Sequence, residues 1–271
     1  MPNANENARI LSPDDVVMVL DEALTSEDPY DIIQSNIDVV NALMEGYLKE
    51  DEISRRALMS YYADYYLAQV NNGGFSQFVY NCDWDPAVVD LVRKGLAAIA
   101  ATQHLALFEE GARAVDALGT DRLQEFFNSE YFGENQERDE LNAINERFYR
   151  LGDSEDLVGL NAAWLKNLPD LCALNEEQLV GEIRRRMEAV PDREARKAAA
   201  KENLPPYVKY IDALCDQAGY ELDRITAGDP TKDGIKWYFL TDKGLHYMLE
   251  TDDHATMYEH ETDTIVAQID I

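Results

Sequence analysis

QVNNGGFSQFVYN, residues Gln69–Asn81, decides the fold. Asparagines and glycines end one apolar segment, and phenylalanines open the next. Upstream, RRALMSYYADYYLAQV places Leu58, Tyr61, Tyr62, Tyr65, Tyr66 and Val70 at helical spacing. Asn71 or Asn72 is expected to take the left-handed conformation that ends this helix. Gly73 and Gly74 then reverse the chain without a Cβ clash. Phe75, Phe78 and Val79 turn a short second helix into the core, and Asn81 closes it. The stretch reads as helix, compact corner, helix.

Working outward, helix starts recur. Ser12–Pro13–Asp14–Asp15, Asp28–Pro29 and Asp85–Pro86 each set a capping side chain before a proline. After Asp28, the residues Ile33, Ile37, Val40, Met44 and Tyr47 line one apolar face. Asn175 and Gln178 have the spacing of a capping box, and Gly219 is placed as the glycine that ends a helix opened by Pro205–Pro206. Helices joined by short polar turns are therefore expected from Ser12 to Gln217. After Gly219 the texture changes to short β-branched and aromatic runs, such as IKWYFLTD and TIVAQIDI, separated by turn signals. These read as an antiparallel meander of four or five strands that must cover one face with helix. The fold class is mainly α. A compact multi-helix body (residues 1–174) precedes a smaller α+β part (residues 175–271) in which helices lead into the meander.

Of the 271 residues, 46% are hydrophobic, enough to build a core. Against 24 basic residues stand 53 acidic ones, for a formal net charge of −29. That field opposes direct binding to nucleic acid or to an anionic membrane, and it favours cations and basic proteins. Cys82, Cys172 and Cys215 form no CxxC pair and suit reduced thiols in the cytoplasm. The N-terminus carries no apolar h-region, and no apolar run reaches the ~18–20 residues of a membrane span.

Catalytic signatures are missing from the sequence. It has no GxSxG, HExxH, GxGxxG or GKS/T element, and no cofactor is expected. His254 and His260 share a strand parity near Asp252, Asp253, Glu259 and Asp263, yet their spacing fits no metal signature. His104 stands alone in the helical body. The chain is expected to bind rather than catalyse. A carboxylate pair of the hydrolase kind stays open among so many acids, and no motif selects one.

Tyr61, Tyr62, Gln69, Asn72, Gly73, Gly74, Phe75, Gln77, Phe78 and Asn81, with the later INERFYRLGDSEDL (Ile144–Leu157), resemble a bacterial family. This is the DNA-mimic protein nineteen family, formerly a domain of unknown function, and the resemblance spans roughly residues 28–174. It implies an acidic helical dimer whose surface carboxylates imitate DNA phosphates and occupy the DNA-binding face of a transcription factor. The motif itself reads as structural. Phe75 and Phe78 belong in a core, and Asn72 and Asn81 are placed to bond backbone. The resemblance says nothing of the residues after Leu174.

A phosphate imitator needs carboxylates ~7 Å apart along a row, a spacing that acids one helical turn apart can reach. The acidic excess is spread through the whole chain, so local density picks the candidates. These are Glu130, Glu134, Glu137, Asp139 and Glu140, followed by Asp153, Glu155 and Asp156. The one basic island, Arg184 to Lys201, is expected to pair with neighbouring acids at helical spacing. Another reading is a protein-recognition or immunity-type module acting through sheet aromatics Trp237, Tyr238, Phe239, Tyr247 and Tyr258.

Overall fold

The computed structural model describes residues 16–129, 131–232, 234–251 and 253–271. The chain divides into two compact units, residues 1–193 and 194–271.

Among the described residues, the first unit begins with strand β1 (Val17–Leu20). Ser12–Asp15, the expected helix start, lies outside the described residues. β1 pairs in parallel with β2 (Leu171–Leu174), Val17 opposite Leu171 and Leu20 opposite Leu174. Val17 and Val19 are fully buried, which suits an unbroken apolar run in a parallel pair. Between the strands lies the helical body. It holds α1 (Asp21–Thr25), α2 (Pro29–Glu45), α3 (Arg55–Gly73), α4 (Phe75–Asn81), α5 (Pro86–Ala98) and α6 (Thr102–Asn128), the last broken at Gly119. It continues with α7 (Gln136–Leu141), α8 (Asn145–Leu151) and α9 (Leu157–Lys166). Asp28 and Asp85 cap α2 and α5 as the sequence indicates, accepting from Tyr30 N at 2.8 Å and Ala87 N at 2.7 Å.

α3 is the central helix, packed by α2, α4, α5 and α9. Its helical conformation runs on through Asn71, Asn72 and Gly73, so neither asparagine is left-handed. The reversal falls on Gly74 alone, at φ +88°, a region costly for any residue with a Cβ. Distant side chains hold the corner that follows. Phe75 N–H donates to Asn145 Oδ1 and Ser76 N–H to Asn142 Oδ1, each at 3.0 Å. Tyr131 OH donates to Gly73 O at 2.9 Å. Asn72 is exposed, and Asn81 donates to the side chain of Gln69 at 2.7 Å, which also accepts from Gln77 at 3.0 Å. Asn142 and Asn145 thus do the backbone bonding expected of Asn72 and Asn81. Phe75 and Phe78 are fully buried, as expected. Phe78, Tyr66 and Phe108 meet edge to face, with centroids 5.2–5.9 Å apart. The Tyr62 hydroxyl bonds to the Glu50 carboxylate.

Helix α10 (Glu176–Glu188) starts with the expected capping box between Asn175 and Gln178 and packs on α2 and β1. It therefore belongs to the first unit, and the division falls at Arg193 rather than Leu174. Within the basic island, Arg185 and Arg186 both bond Glu182, at 2.6 and 3.0 Å, the local pairing expected there. α11 (Arg193–Glu202) begins at the boundary.

The second unit is the α+β part. α12 (Pro206–Ala218), ended by left-handed Gly219, covers one face of a five-stranded antiparallel meander. Its strands are β3 (Leu222–Thr231), β4 (Gly234–Thr241), β5 (Gly244–Glu250), β6 (His254–Glu259) and β7 (Ile265–Asp270), in sequence order across the sheet. Ile211, Leu214 and Cys215 pack on Phe239, Met248, Ala255, Met257 and Ala267. On strands β4, β5 and β6, Tyr238, Tyr247 and Tyr258 lie opposite one another, Tyr247 stacked on Tyr258 at 4.9 Å. β6 ends at Glu259, which leaves His260 in the following turn, so one strand does not carry both His254 and His260.

Candidate functional site

The density-picked acids fall in two places. Glu137, Asp139 and Glu140 sit on α7, whose start is capped by Asn135 accepting from Arg138 N at 2.9 Å. All three have cationic partners. Arg122 reaches Glu137 at 2.9 Å and Glu140 at 3.1 Å, and Arg138 lies along Asp139 at 2.9 Å. Glu134 is exposed in the preceding loop, and Glu130 lies outside the described residues. The second group lies in the turn before α9. Asp153 is exposed, and Asp156 caps α9 by accepting from Val158 N at 3.1 Å.

Glu155 is only 9% exposed. Its carboxylate accepts from Gln103 N at 3.1 Å and His104 N at 2.7 Å, which satisfies the otherwise unpaired donors at the start of α6. Burial and inward-facing bonds remove Glu155 from any surface role. His104, 1% exposed, faces the Glu155 carbonyl at 3.2 Å, and burial lowers its pKa.

A different part of the unit carries carboxylates with no base among their sequence neighbours, although Lys166 donates to Ser26 O at 3.3 Å and Arg193 to Gly46 O at 3.4 Å. Asp21, Glu22, Glu27, Asp28, Asp31, Asp38 and Glu45 are all exposed, and no lysine or arginine occurs between residues 16 and 48. Asp31, Asp38 and Glu45 recur every seven residues, which sets them on one face of α2 at steps of roughly 10.5 Å along its axis. Neutral donors fix two of them. Ser26 Oγ donates to Asp31 at 2.6 Å and Gln34 Nε2 to Asp38 at 2.7 Å. Between α1 and α2 runs a groove of about 490 Å³ whose charged lining, among the described residues, is Glu22, Asp31 and Asp38. This signal was present in the sequence as missing bases, and a search for dense acids passes over it.

Beneath this face lies Asp64, 8% exposed, which accepts from Tyr30 OH at 3.4 Å. Burial pushes its carboxyl up to about 6, and the Tyr30 bond lowers it only in part.

Residues 51–168 match the family described as DMP19-like protein. The similarity covers less than half of the chain. The matched segment holds α3 to α9, the glycine corner and both groups of density-picked acids, whereas the acidic face of α1 and α2 precedes it. No curated protein and no solved structure matches the chain.

Reactive groups are muted in the described residues. Burial pushes the Cys82 and Cys215 thiols up to about 11. No group of three or more His, Cys, Asp or Glu side chains gathers for a metal ion among the described residues. No helix among them is long and apolar enough to cross a membrane.

Proposed function

We propose that this protein binds a basic partner, a DNA-binding protein in the reading that the DMP19-like segment favours, and does so without catalysis. The partner meets carboxylates where it would otherwise meet phosphates. One observation carries the reading: seven exposed acids on α1, α2 and their connection have no basic residue within residues 16–48. Unpaired carboxylates keep their charge for a partner, whereas those on α7 already spend much of theirs on Arg122 and Arg138. The steps along α2 are wider than neighbouring phosphates of one DNA strand. The face therefore acts as an anionic ridge, and α1 supplies charge between the steps.

The test is capture at low salt of DNA-binding proteins already loaded on duplex DNA. Wild type should strip them from the duplex, with an affinity that falls steeply as salt rises. The triple variant Asp31→Asn, Asp38→Asn, Glu45→Gln should lose this, while Glu137→Gln with Glu140→Gln should keep it. Stripping that is equal in both variants, or insensitive to salt, overturns the proposal.

A further inference from the structure

Phe239, Met248 and Met257 pack toward α12, so strand alternation turns their neighbours Tyr238, Tyr247 and Tyr258 to the opposite face of the sheet. These tyrosines stand opposite one another across β4, β5 and β6, and Ile265 on the edge strand β7 extends the row. A sheet face turned to solvent is ordinarily polar, and this row is aromatic. Trp237 and Phe239 do not belong to it. Phe239 is buried with α12, and Trp237 stacks on Tyr207 of that helix at 3.7 Å.

The row already seats one cation. From the β4 side, Lys236 Nζ lies 3.9 Å from the centre of the Tyr247 ring. From the β6 side, Tyr258 stacks on Tyr247 at 4.9 Å, with the ring planes 12° apart. Tyr247 OH donates to Asp263 Oδ1 at 2.8 Å, which pushes electron density into the ring and strengthens its pull on a cation. Tyr247 is thus filled on both sides and is 4% exposed. The next place in the stack is the Tyr258 ring face turned toward β7. Tyr258 is half-buried, and Ile265 opposite it is 57% exposed. The surroundings are anionic. Residues 222–271 hold 11 acidic and 4 basic residues. The reach of Asp263 to Tyr247 sets the turn after β6 beside the row, and Glu259 and Glu261 are exposed at that turn.

We propose that this row docks an arginine-bearing basic segment of a partner protein, with one guanidinium stacked on Tyr258. Arginine fits better than lysine, because its planar, weakly hydrated head can lie flat on a ring while its stem covers Ile265. The site lies in the second unit and does not rest on the acidic face of α1 and α2.

Titration of the full chain with a blocked peptide of three arginines alternating with glycines tests the docking. In wild type, the arginine Cδ proton signals of the peptide should move upfield under the ring current. Tyr258→Leu should weaken binding about three- to tenfold, the range of one cation–ring contact, at unchanged net charge. Tyr258→Phe keeps the ring and should bind as wild type does. The lysine counterpart of the peptide should bind more weakly, though its charge is the same. Peptide signals that do not move on binding overturn the proposal, whatever the variants do. So do equal affinities for wild type and Tyr258→Leu, equal losses in Tyr258→Leu and Tyr258→Phe, or a lysine peptide that binds as tightly. Measured in the background of Asp31→Asn, Asp38→Asn, Glu45→Gln, the loss caused by Tyr258→Leu should persist. A loss that vanishes in that background places the peptide on the ridge and overturns docking at the sheet.

Discussion

Gly111 on α6 faces the end of the Phe75 ring, and a Cβ at position 111 would lie 2.5 Å from Phe75 Cζ. The first phenylalanine of the corner is thus seated on a helix more than thirty residues later. Phe75 is fully buried and bounded by Phe78, Trp84 and Phe108, so it has nowhere to retreat. Gly111→Ala should cost roughly 1–3 kcal/mol by overpacking, despite the better helix propensity of alanine. Urea unfolding monitored by circular dichroism measures this, and an unchanged midpoint would refute the packing argument.

Asn142 and Asn145 satisfy the two N–H groups at the start of α4. Removal of either acceptor strands a donor beside a fully buried ring. Asn145→Ala should destabilise by about 1–2 kcal/mol, whereas Asn145→Asp keeps an acceptor and should lose less. Equal losses in both variants would show that side-chain packing matters here and the bond does not.

The corner was legible in the sequence because glycines followed by phenylalanines admit few local solutions. What holds it was not, because Tyr131, Asn142 and Asn145 lie some sixty residues away and carry no local signature. The β1–β2 pair was hidden for the same reason: a four-residue apolar run has no period, and its partner strand lies beyond the helical body. The meander and α12 could be read because each turn and cap is local. That α10 joins the first compact unit could not be read, since its sequence shows an apolar face without showing what covers it. Acid density misled in a similar way. Arg122 neutralises Glu137 and Glu140 across a tertiary contact, while the absence of lysine and arginine from residues 16–48 was written in the sequence.

Glu155 caps α6 from a turn some fifty residues later, so its removal should loosen the start of that helix. Glu155→Ala should cost roughly 1–2 kcal/mol and raise hydrogen exchange at Gln103 and His104. Exchange that stays slow at both amides would show that the cap is dispensable.

Asp64 and His104 oppose each other in acid. Burial lowers the His104 pKa, so the folded state holds this ring neutral, and stability is lost as pH falls below the ordinary histidine value. Burial raises Asp64 to about 6 from an ordinary 3.8, so the folded state binds this proton more tightly than the unfolded chain does. Its effect has the other sign: a penalty that is absent near pH 4 grows as pH rises and is complete above about 6. Asp64→Asn should therefore stabilise the protein at pH 7.5 by on the order of 2 kcal/mol. The new amide also faces a void shared with Asn161, whose buried Oδ1 lacks a partner, and can supply a donor there. Unfolding of both proteins from pH 4 to 8 checks the sign, and His104 cancels in the difference. The gain should shrink toward zero as pH falls. A gain independent of pH would mean that Asp64 is already protonated at neutral pH, and a loss at pH 7.5 would mean that its charge has a partner that Tyr30 does not account for.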